Sequence, residues 1–352
     1  MSVLLSAIGF IPPLFVAYGI VVGFILLFYW LGKRKQESLK RMFVIGGVLL
    51  LTNAYWLLPT AYFTATTSSV YLYSQNNQLS TQDFNLQSIS FGGFTDVALM
   101  RGFMIASIDS PTEPGQRSFY IMQQWLDHSN NFLVRNVGLL FFVIVLIGVV
   151  STLRRRDSYQ RLAVVAIFIF LFAALAQRVF PFSVFDEFLK MIPVINQAFR
   201  AGYTKLSVPL ALAFCLLFGQ GVISILRNSE KLYRKSTLLM VVPLFTALII
   251  FFGYPIFQGQ LIYKKLKLDI PQEYFQLFEF FQSQPKDERI AHLPTHWNWG
   301  WSLYDWGYTG SGFLWYGIEQ PLIDRSFDVW ASGNESFYQE LSSALYQNGN
   351  AN

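Results

Sequence analysis

The sequence predicts a mainly α, polytopic helical membrane protein: about six transmembrane helices, followed by a small mixed α/β extracytoplasmic segment. Three observations predict it. Of the 352 residues 53% are hydrophobic and only 13% charged, against about 25% charged in an ordinary soluble domain. Six apolar runs reach or approach the roughly 20 residues that a helix needs to cross a bilayer. The net charge of +5 is carried by short basic clusters between those runs. That is where a topology signal belongs, and it gives no indication of a nucleic-acid partner.

The runs are Leu14–Leu31, Met42–Pro59, Val137–Leu153, Leu162–Ala176, Leu206–Leu226 and Thr237–Phe257. The opening MSVLLSAIGFIPPLFVAYG lacks the basic n-region and the cleavage site of a signal peptide, so it reads as the approach to a retained span. The second run ends in TNAYWLLPTAYF. There Tyr55, Trp56 and Tyr62 suit an aromatic belt and Pro59 is expected to end the helix. Asn53 sits inside that run; an interhelical hydrogen bond is its ordinary role, and a substrate contact the alternative. The fourth run is short and would borrow neighbours such as Gln177.

Three connections, GKRKQESLKR, RRRDSYQR and RNSEKLYRK, hold half of the 26 lysines and arginines. The long connection Thr60–Asn136 holds only Arg101, Arg117 and Arg135. The positive-inside rule then puts the three basic connections in the cytoplasm. The external parts are the N-terminus, the loops 60–136 and 178–205, and everything after the last span. The expected domains are a transmembrane part, 1–258, and an extracytoplasmic aromatic-rich segment, 259–352. The lone Cys215 excludes an intrachain disulfide and a cysteine metal site.

Within the external loop, SISFGGFTD reads as a glycine turn between extended pieces and SPTEPGQ as a tight turn. SFYIMQQWLDHSNNFL has the spacing of an amphipathic surface helix. After the last span, Tyr274, Phe275, Leu277, Phe278 and Phe281 fit another amphipathic helix, and RIAHLP fits a short strand. Six of the nine tryptophans follow between Trp297 and Trp330. The tail begins a helix and stops in polar residues, which suggests a piece of a longer protein.

The stretch FPFSVFDEFLKMIPVINQAFRAGYTK, Phe180–Lys205, organises the rest. It is too charged for hydrocarbon and too aromatic for an ordinary loop, so it belongs at a membrane surface or on a cavity opening there. Arg200 and Lys205 lie off the positive-inside pattern. They can snorkel, or they can bind a phosphate, Arg200 through its planar fork of donors. Asp186 and Glu187, with Asp83 and Asp96 in the long loop, are the candidate carboxylates. Each could act as a general base or help hold a divalent cation, or simply be a solvated acid. Beyond that cation no cofactor is indicated. Trp306 and Asp305 could stack on and hydrogen-bond a sugar; the alternative is a small aromatic core. Soluble-enzyme motifs are absent: there is no phosphate loop, HExxH, CxxC pair or nucleophile elbow. His292 and His296 are separated by Pro294, which argues against shared metal ligation and leaves no metal site to name.

NAYWLLP at the end of one span, AFRAGYTKLSVPLALAFCLLFGQG leading into another, and the PQEYFQLFEFFQSQP, RIAHLP, WGWSLYDWGY and QPLIDRSFD segments together resemble large bacterial GT-C-type membrane glycosyltransferases. The arabinofuranosyltransferase-like and YfhO-like proteins are the nearest in pattern. An FRxPxK-like element opens a late span in those proteins. Here it is matched by Phe199, Arg200 and Lys205, with Ala201 and Gly202 where the proline would fall. The resemblance implies a multi-pass protein of the plasma membrane that transfers a sugar from a polyprenyl-phosphate donor to a glycan or lipid acceptor of the cell envelope. It also implies an essential carboxylate in the first external loop. Either Asp83 or Asp96 takes that role, or the catalytic loop lies upstream of this sequence.

Two other readings compete. A transporter for a lipid-linked or polar solute would need charge near the middle of broken spans, where the sequence offers only Asn53 and Gln220. A non-catalytic scaffold with a glycan-binding outside domain would need no converging acids.

Overall fold

Two prolines and a lysine frame the first helix, α1 (Pro12–Lys33). Proline suits a helix start because its missing N–H has no intrahelical partner there, and a cation suits the negative end of the helix dipole. The computed structural model describes residues 12–33, 36–106, 108–109, 119–155, 159–228, 235–260, 268–292, 302–310, 313–323 and 333–346.

The second apolar run is not one helix. It divides into α2 (Gln36–Thr52) and α3 (Ala54–Thr66), bent by 79°. Pro59 does not end the helix as the sequence suggested but lies inside α3. The break is at Asn53, whose side-chain amide donates to the Leu49 carbonyl at 2.8 Å and whose Oδ1 accepts from Trp56 Nε1 at 3.1 Å. Its own carbonyl starts the next turn, accepting from Leu57 N–H at 3.0 Å. Asn53 therefore serves both helices at once.

The described residues of the long connection 60–136 are mostly helical: α4 (Ser68–Tyr73), α5 (Gln75–Ser90) and α6 (Phe94–Ala98). The pieces flanking Gly92 and Gly93 are helices rather than the extended segments expected. Strands β1 (Ile108–Asp109) and β2 (Phe119–Tyr120) pair antiparallel; the expected SPTEPGQ turn lies outside the described residues. Because Phe119 and Tyr120 are taken by that pair, the surface helix predicted there begins only at Gln123, as α7 (Gln123–Asn130).

Asn131 caps the next helix, its Oδ1 accepting from Leu133 N–H at 2.9 Å. That helix is α8 (Phe132–Arg155), followed by α9 (Tyr159–Leu175), α10 (Phe182–Lys190), α11 (Pro193–Phe199), α12 (Tyr203–Asn228), α13 (Lys235–Phe252) and α14 (Tyr254–Phe257). Among the described residues α1, α8 and α12 are long and apolar enough to cross a membrane, and the α2–α3 pair passes the same test only when its two bent halves are taken together. The other two runs give shorter apolar helices. The 17 residues of α9 span roughly 25 Å at 1.5 Å per residue, short of a ~30 Å hydrocarbon core.

The chain divides into two compact units. The first comprises residues 1–68, 81–105 and 124–260. Its core is formed where α9 lies against α1 and α12, and α12 against α8. Ala163, Ile167, Phe168, Leu171, Phe172 and Leu175 recur three or four apart on α9 and are all buried, a single helical face. Large apolar side chains on α1, α2, α8 and α12 remain exposed, Phe43, Val44, Leu51, Val143 and Val208 among them. Continuous apolar exposure of this kind fits helices whose outer surface meets lipid.

The second unit comprises residues 69–80, 106–123 and 261–352, and therefore takes two pieces of the 60–136 connection as well as the C-terminal segment. It contains α15 (Gln272–Gln282), β3 (Ile290–Ala291), β4 (Ser302–Leu303), β5 (Thr309–Gly310), β6 (Leu322–Ile323) and α16 (Asn334–Tyr346). Strands β3 and β6 pair parallel, β4 and β5 antiparallel, with two residues in each strand. Gln320, buried, ties β6 to α15 by donating to the Phe281 carbonyl at 2.6 Å. Ser74 donates to Glu335 of α16 at 3.2 Å and holds the 69–80 piece to the C-terminal helix.

Candidate functional site

In the first unit a polar seam joins α5 to α11 and to the turn leading into α12. On α5, Thr81, Phe84, Asn85 and Ser88 fall at i, i+3, i+4 and i+7, one face of the helix. That face meets α11 and the turn leading into α12. Thr81 donates to Gln197 Oε1 at 2.7 Å, Asn85 to Asn196 Oδ1 at 2.9 Å, and Ser88 to the Arg200 carbonyl at 3.1 Å. Arg200 closes the seam from the other side. Its Nη1 donates to Thr81 Oγ1 at 3.2 Å, and its guanidinium lies 5.3 Å over the Phe84 ring, a cation–π contact.

Lys205 is five residues on, in the first turn of α12. Its ammonium donates to the Ala201 carbonyl at 3.2 Å, and no carboxylate pairs with it among the described residues. Arg200 and Lys205 are both half-buried, so the turn presents two cations from a fixed backbone. Arg178, exposed after α9, is a third cation in this region; its N–H donates to the Gly92 carbonyl at 3.0 Å.

A second piece of the seam lies around Tyr203. Its hydroxyl donates to the Met100 carbonyl, and its ring lies so close to Gly102 that any Cβ there would stand 2.3 Å from it. Only glycine permits that approach. Met100 has φ +56°, a left-handed conformation uncommon outside glycine, at the tip of a turn that Arg101 N–H closes onto the Asp96 carbonyl at 2.8 Å. Ser88, Arg101, Gly102, Gln177, Gly202 and Tyr203 are among the lining of a small cavity of about 10 Å³, room for roughly one water. Arg101 Nε and Gln177 Oε1, both buried, have no hydrogen-bond partner among the described residues.

The candidate carboxylates do not gather here. Asp186 accepts from Lys190 Nζ at 2.5 Å and from Gln177 Nε2 at 2.9 Å, so it ties α10 to the end of α9. Asp96 pairs with Arg101 at 3.8 Å. Asp83 is exposed, on the face of α5 opposite Thr81 and Phe84, and Glu187 is exposed on α10. Among the described residues no cluster of three metal-ligating side chains forms.

Trp306 and Asp305 belong to the second unit. The Trp306 ring packs among Tyr274, Tyr304, Tyr308 and Phe313 at centroid distances of 5.5–5.7 Å, while Asp305 is exposed. The Trp306 indole N–H is buried without a partner among the described residues. Trp297, Trp299, Trp301, Trp330 and His296 lie outside the described residues.

No family model matches the chain, and neither does any curated protein or solved structure.

The reading from sequence singled out Arg200, Lys205, Asp186 and Glu187 as neighbours in the chain, and missed what holds them. The Thr81, Asn85 and Ser88 stripe could have been found as polar residues at helical spacing in an otherwise mixed loop. Nothing in the sequence pointed to Gln177 and Arg178 as contacts of the Gly92 turn and of Asp186.

Proposed function

We propose that this chain is a membrane-embedded glycosyltransferase-like protein. It transfers a sugar from a polyprenyl-phosphate donor to a cell-envelope glycan or lipid on the non-cytoplasmic face. The observation that supports this most is the placement of Arg200 and Lys205, two half-buried cations five residues apart at the end of a candidate span, Arg200 held on α5 by Thr81 and Phe84. Six spans are assigned, α9 and α13 crossing with help from flanking residues, and residues 259–352 form the extracytoplasmic segment.

The chemistry such a pair supports is departure of a phosphate. The bond between the anomeric carbon and the donor's phosphate oxygen breaks, and the acceptor hydroxyl oxygen bonds to that carbon. The acceptor's proton passes to a base, and negative charge collects on the leaving phosphate. Fixed cations stabilise that charge more as it develops, which is the condition for lowering the barrier. Arg200 would bind two phosphate oxygens through its fork, and Lys205 would act as a point charge. A group that both donates and accepts would satisfy Arg101 Nε and Gln177 Oε1 together. Of the carboxylates, Glu187 and Asp83 are exposed and available as bases, whereas Asp186 and Asp96 hold structure. A divalent cation bound with the donor would serve the same phosphate.

A second reading, a non-catalytic scaffold whose outside segment binds glycan, is favoured by one observation: the candidate acids do not converge. Transfer of radiolabelled sugar from polyprenyl-phosphate donors, measured in native membranes, separates the two. Glycosyl transfer predicts turnover that falls at least 100-fold in Arg200→Ala and survives within a few-fold in Asp186→Asn. Equal turnover in wild type and Arg200→Ala removes Arg200 from the site. No turnover above membranes lacking the protein favours the scaffold.

A further inference from the structure

We infer that α3 is not the end of a membrane span but an interfacial helix, lying along the non-cytoplasmic surface of the bilayer with Tyr55, Leu58, Pro59 and Tyr62 set into the lipid.

Four observations carry this. First, the axis turns by 79° at Asn53, so if α2 runs across the membrane α3 runs nearly along it. Second, the bend is at the outer level. Trp56 packs edge-on against Phe15 at 4.9 Å, and Phe15 is near the start of α1. From Phe15 to Lys33 is about 27 Å along that helix, and from Arg41, the last residue of the basic connection, to Asn53 about 18 Å along α2. The first ruler puts Phe15, and Trp56 against it, most of a hydrocarbon thickness from the basic connection between α1 and α2, and the second puts Asn53 beyond the midplane. Third, the bend is built in: Asn53 is 1% exposed, with its amide bonded to α2 on one side and to Trp56 of α3 on the other. Fourth, the outer face of α3 is apolar and aromatic, with Tyr55, Leu58 and Tyr62 exposed at 66%, 69% and 72%. These residues recur at i, i+3 and i+7, and tyrosine is the residue type that suits one apolar side and one wet side. Trp56, Leu57 and Phe63 on the other face are partly buried. The occupant that continues from the exposed face of α2 is the same bilayer.

The helix α3 so placed ends the second crossing at Thr52, so that α2, like α9 only 17 residues long, crosses with Glu37, Lys40 and Arg41 at the headgroups, and α3 braces the surface before the loop 60–136. The inference rests on the helices crossing a bilayer, but not on any enzymatic activity.

Nitroxide depth measurements in phosphatidylcholine–phosphatidylglycerol vesicles test it. Single cysteines replace Tyr55, Leu58 and Tyr62, and Trp56 as the inward-facing control, in a Cys215→Ser background. The native Cys215, exposed near the middle of α12, serves in the parent protein as the hydrocarbon marker. A label at Cys215 that reports water overturns the membrane reading itself. With that label deep, the expected result is three labels at one shallow depth, oxygen-accessible and agreeing to within about 3 Å. A helix continuing along α2 instead puts residues 55 and 62 about 10 Å apart in depth. That gradient, or three labels fully exposed to water, overturns the inference.

Discussion

The Arg200 guanidinium donates to the Thr81 hydroxyl at 3.2 Å, joining residues 119 positions apart in the chain. The same hydroxyl donates to Gln197, so Thr81 is a relay between α5 and the turn that carries Arg200. Thr81→Val keeps the shape and removes both bonds. Each such bond is worth about 0.5–1.5 kcal/mol, and a loosened Arg200 would hold phosphate less well. The expected outcome is a roughly 3- to 10-fold weaker affinity for polyprenyl phosphate in nanodiscs, with Arg200→Lys weaker still because its ammonium lacks the planar fork. Isothermal titration on the two variants checks this. Unchanged affinity in both separates the seam from binding.

Helices α8 and α12 touch through backbone as well as through side chains such as Phe141 and Phe218. A Cβ on Gly148 would stand 1.9 Å from the Leu217 carbonyl oxygen, and one on Gly221 would stand 2.0 Å from that of Ile144. In a bilayer, where lipid is as apolar as leucine, such close approach is the main source of helix association. Gly148→Ala or Gly221→Ala must push the helices apart. Because the obstacle is backbone, neither can be absorbed by a rotamer change. A loss of several kcal/mol, or failure to accumulate folded protein, is expected. Gly219→Ala, with nothing within 4 Å of the new methyl, is the control and should melt within a degree or two of wild type. Thermal denaturation in detergent reads all three.

The apolar helices were legible because their signal is additive along 18 or more residues, as in α1, α8 and α12. The interruption at Asn53 was not, because one polar residue in an apolar run reads equally as a buried hydrogen bond within a straight helix. Pro59 misled for a related reason. Proline disfavours a helix interior by removing one donor, but α3 retains its other bonds and continues to Thr66. In the external loop the glycines of SISFGGFTD marked a turn correctly, yet turn residues say nothing about whether helices or strands flank them. The cations of the candidate site could be picked out by their conflict with the positive-inside pattern. The partners of those cations could not, because Thr81 and Arg200 are joined only by the fold.

Asn53 is a buried polar residue with a structural task, which makes its replacement costly in a specific way. Asn53→Ala removes the acceptor of the Trp56 indole N–H and one of two donors to the Leu49 carbonyl, which keeps the Thr52 hydroxyl at 3.2 Å. A cost of about 1–3 kcal/mol follows for the orphaned indole N–H. The accompanying geometric effect is a relaxed bend. Paired nitroxides on residues 45 and 62 should show a broader and longer distance distribution in the variant than in wild type. A distribution identical to wild type places the origin of the bend outside Asn53.

Tyr308 offers a pH readout of the second unit. Burial against Tyr304, Trp306 and Phe313 raises its phenol above the ordinary value of 10.0; its hydrogen bond with the Phe313 backbone opposes the shift, and Tyr316 adds to it. The folded chain therefore keeps this proton where the unfolded chain has begun to lose it. Stability from this group is fully present below the unfolded value of about 10 and declines as pH rises from there through the folded value. Tyr308→Phe has no proton to lose, so its unfolding midpoint should fall less steeply than that of wild type in alkali. Phenolate absorbance followed during the titration should lose its latest-ionising component in the same variant. An alkaline profile identical in wild type and Tyr308→Phe would show that the Tyr308 ring is not held away from water.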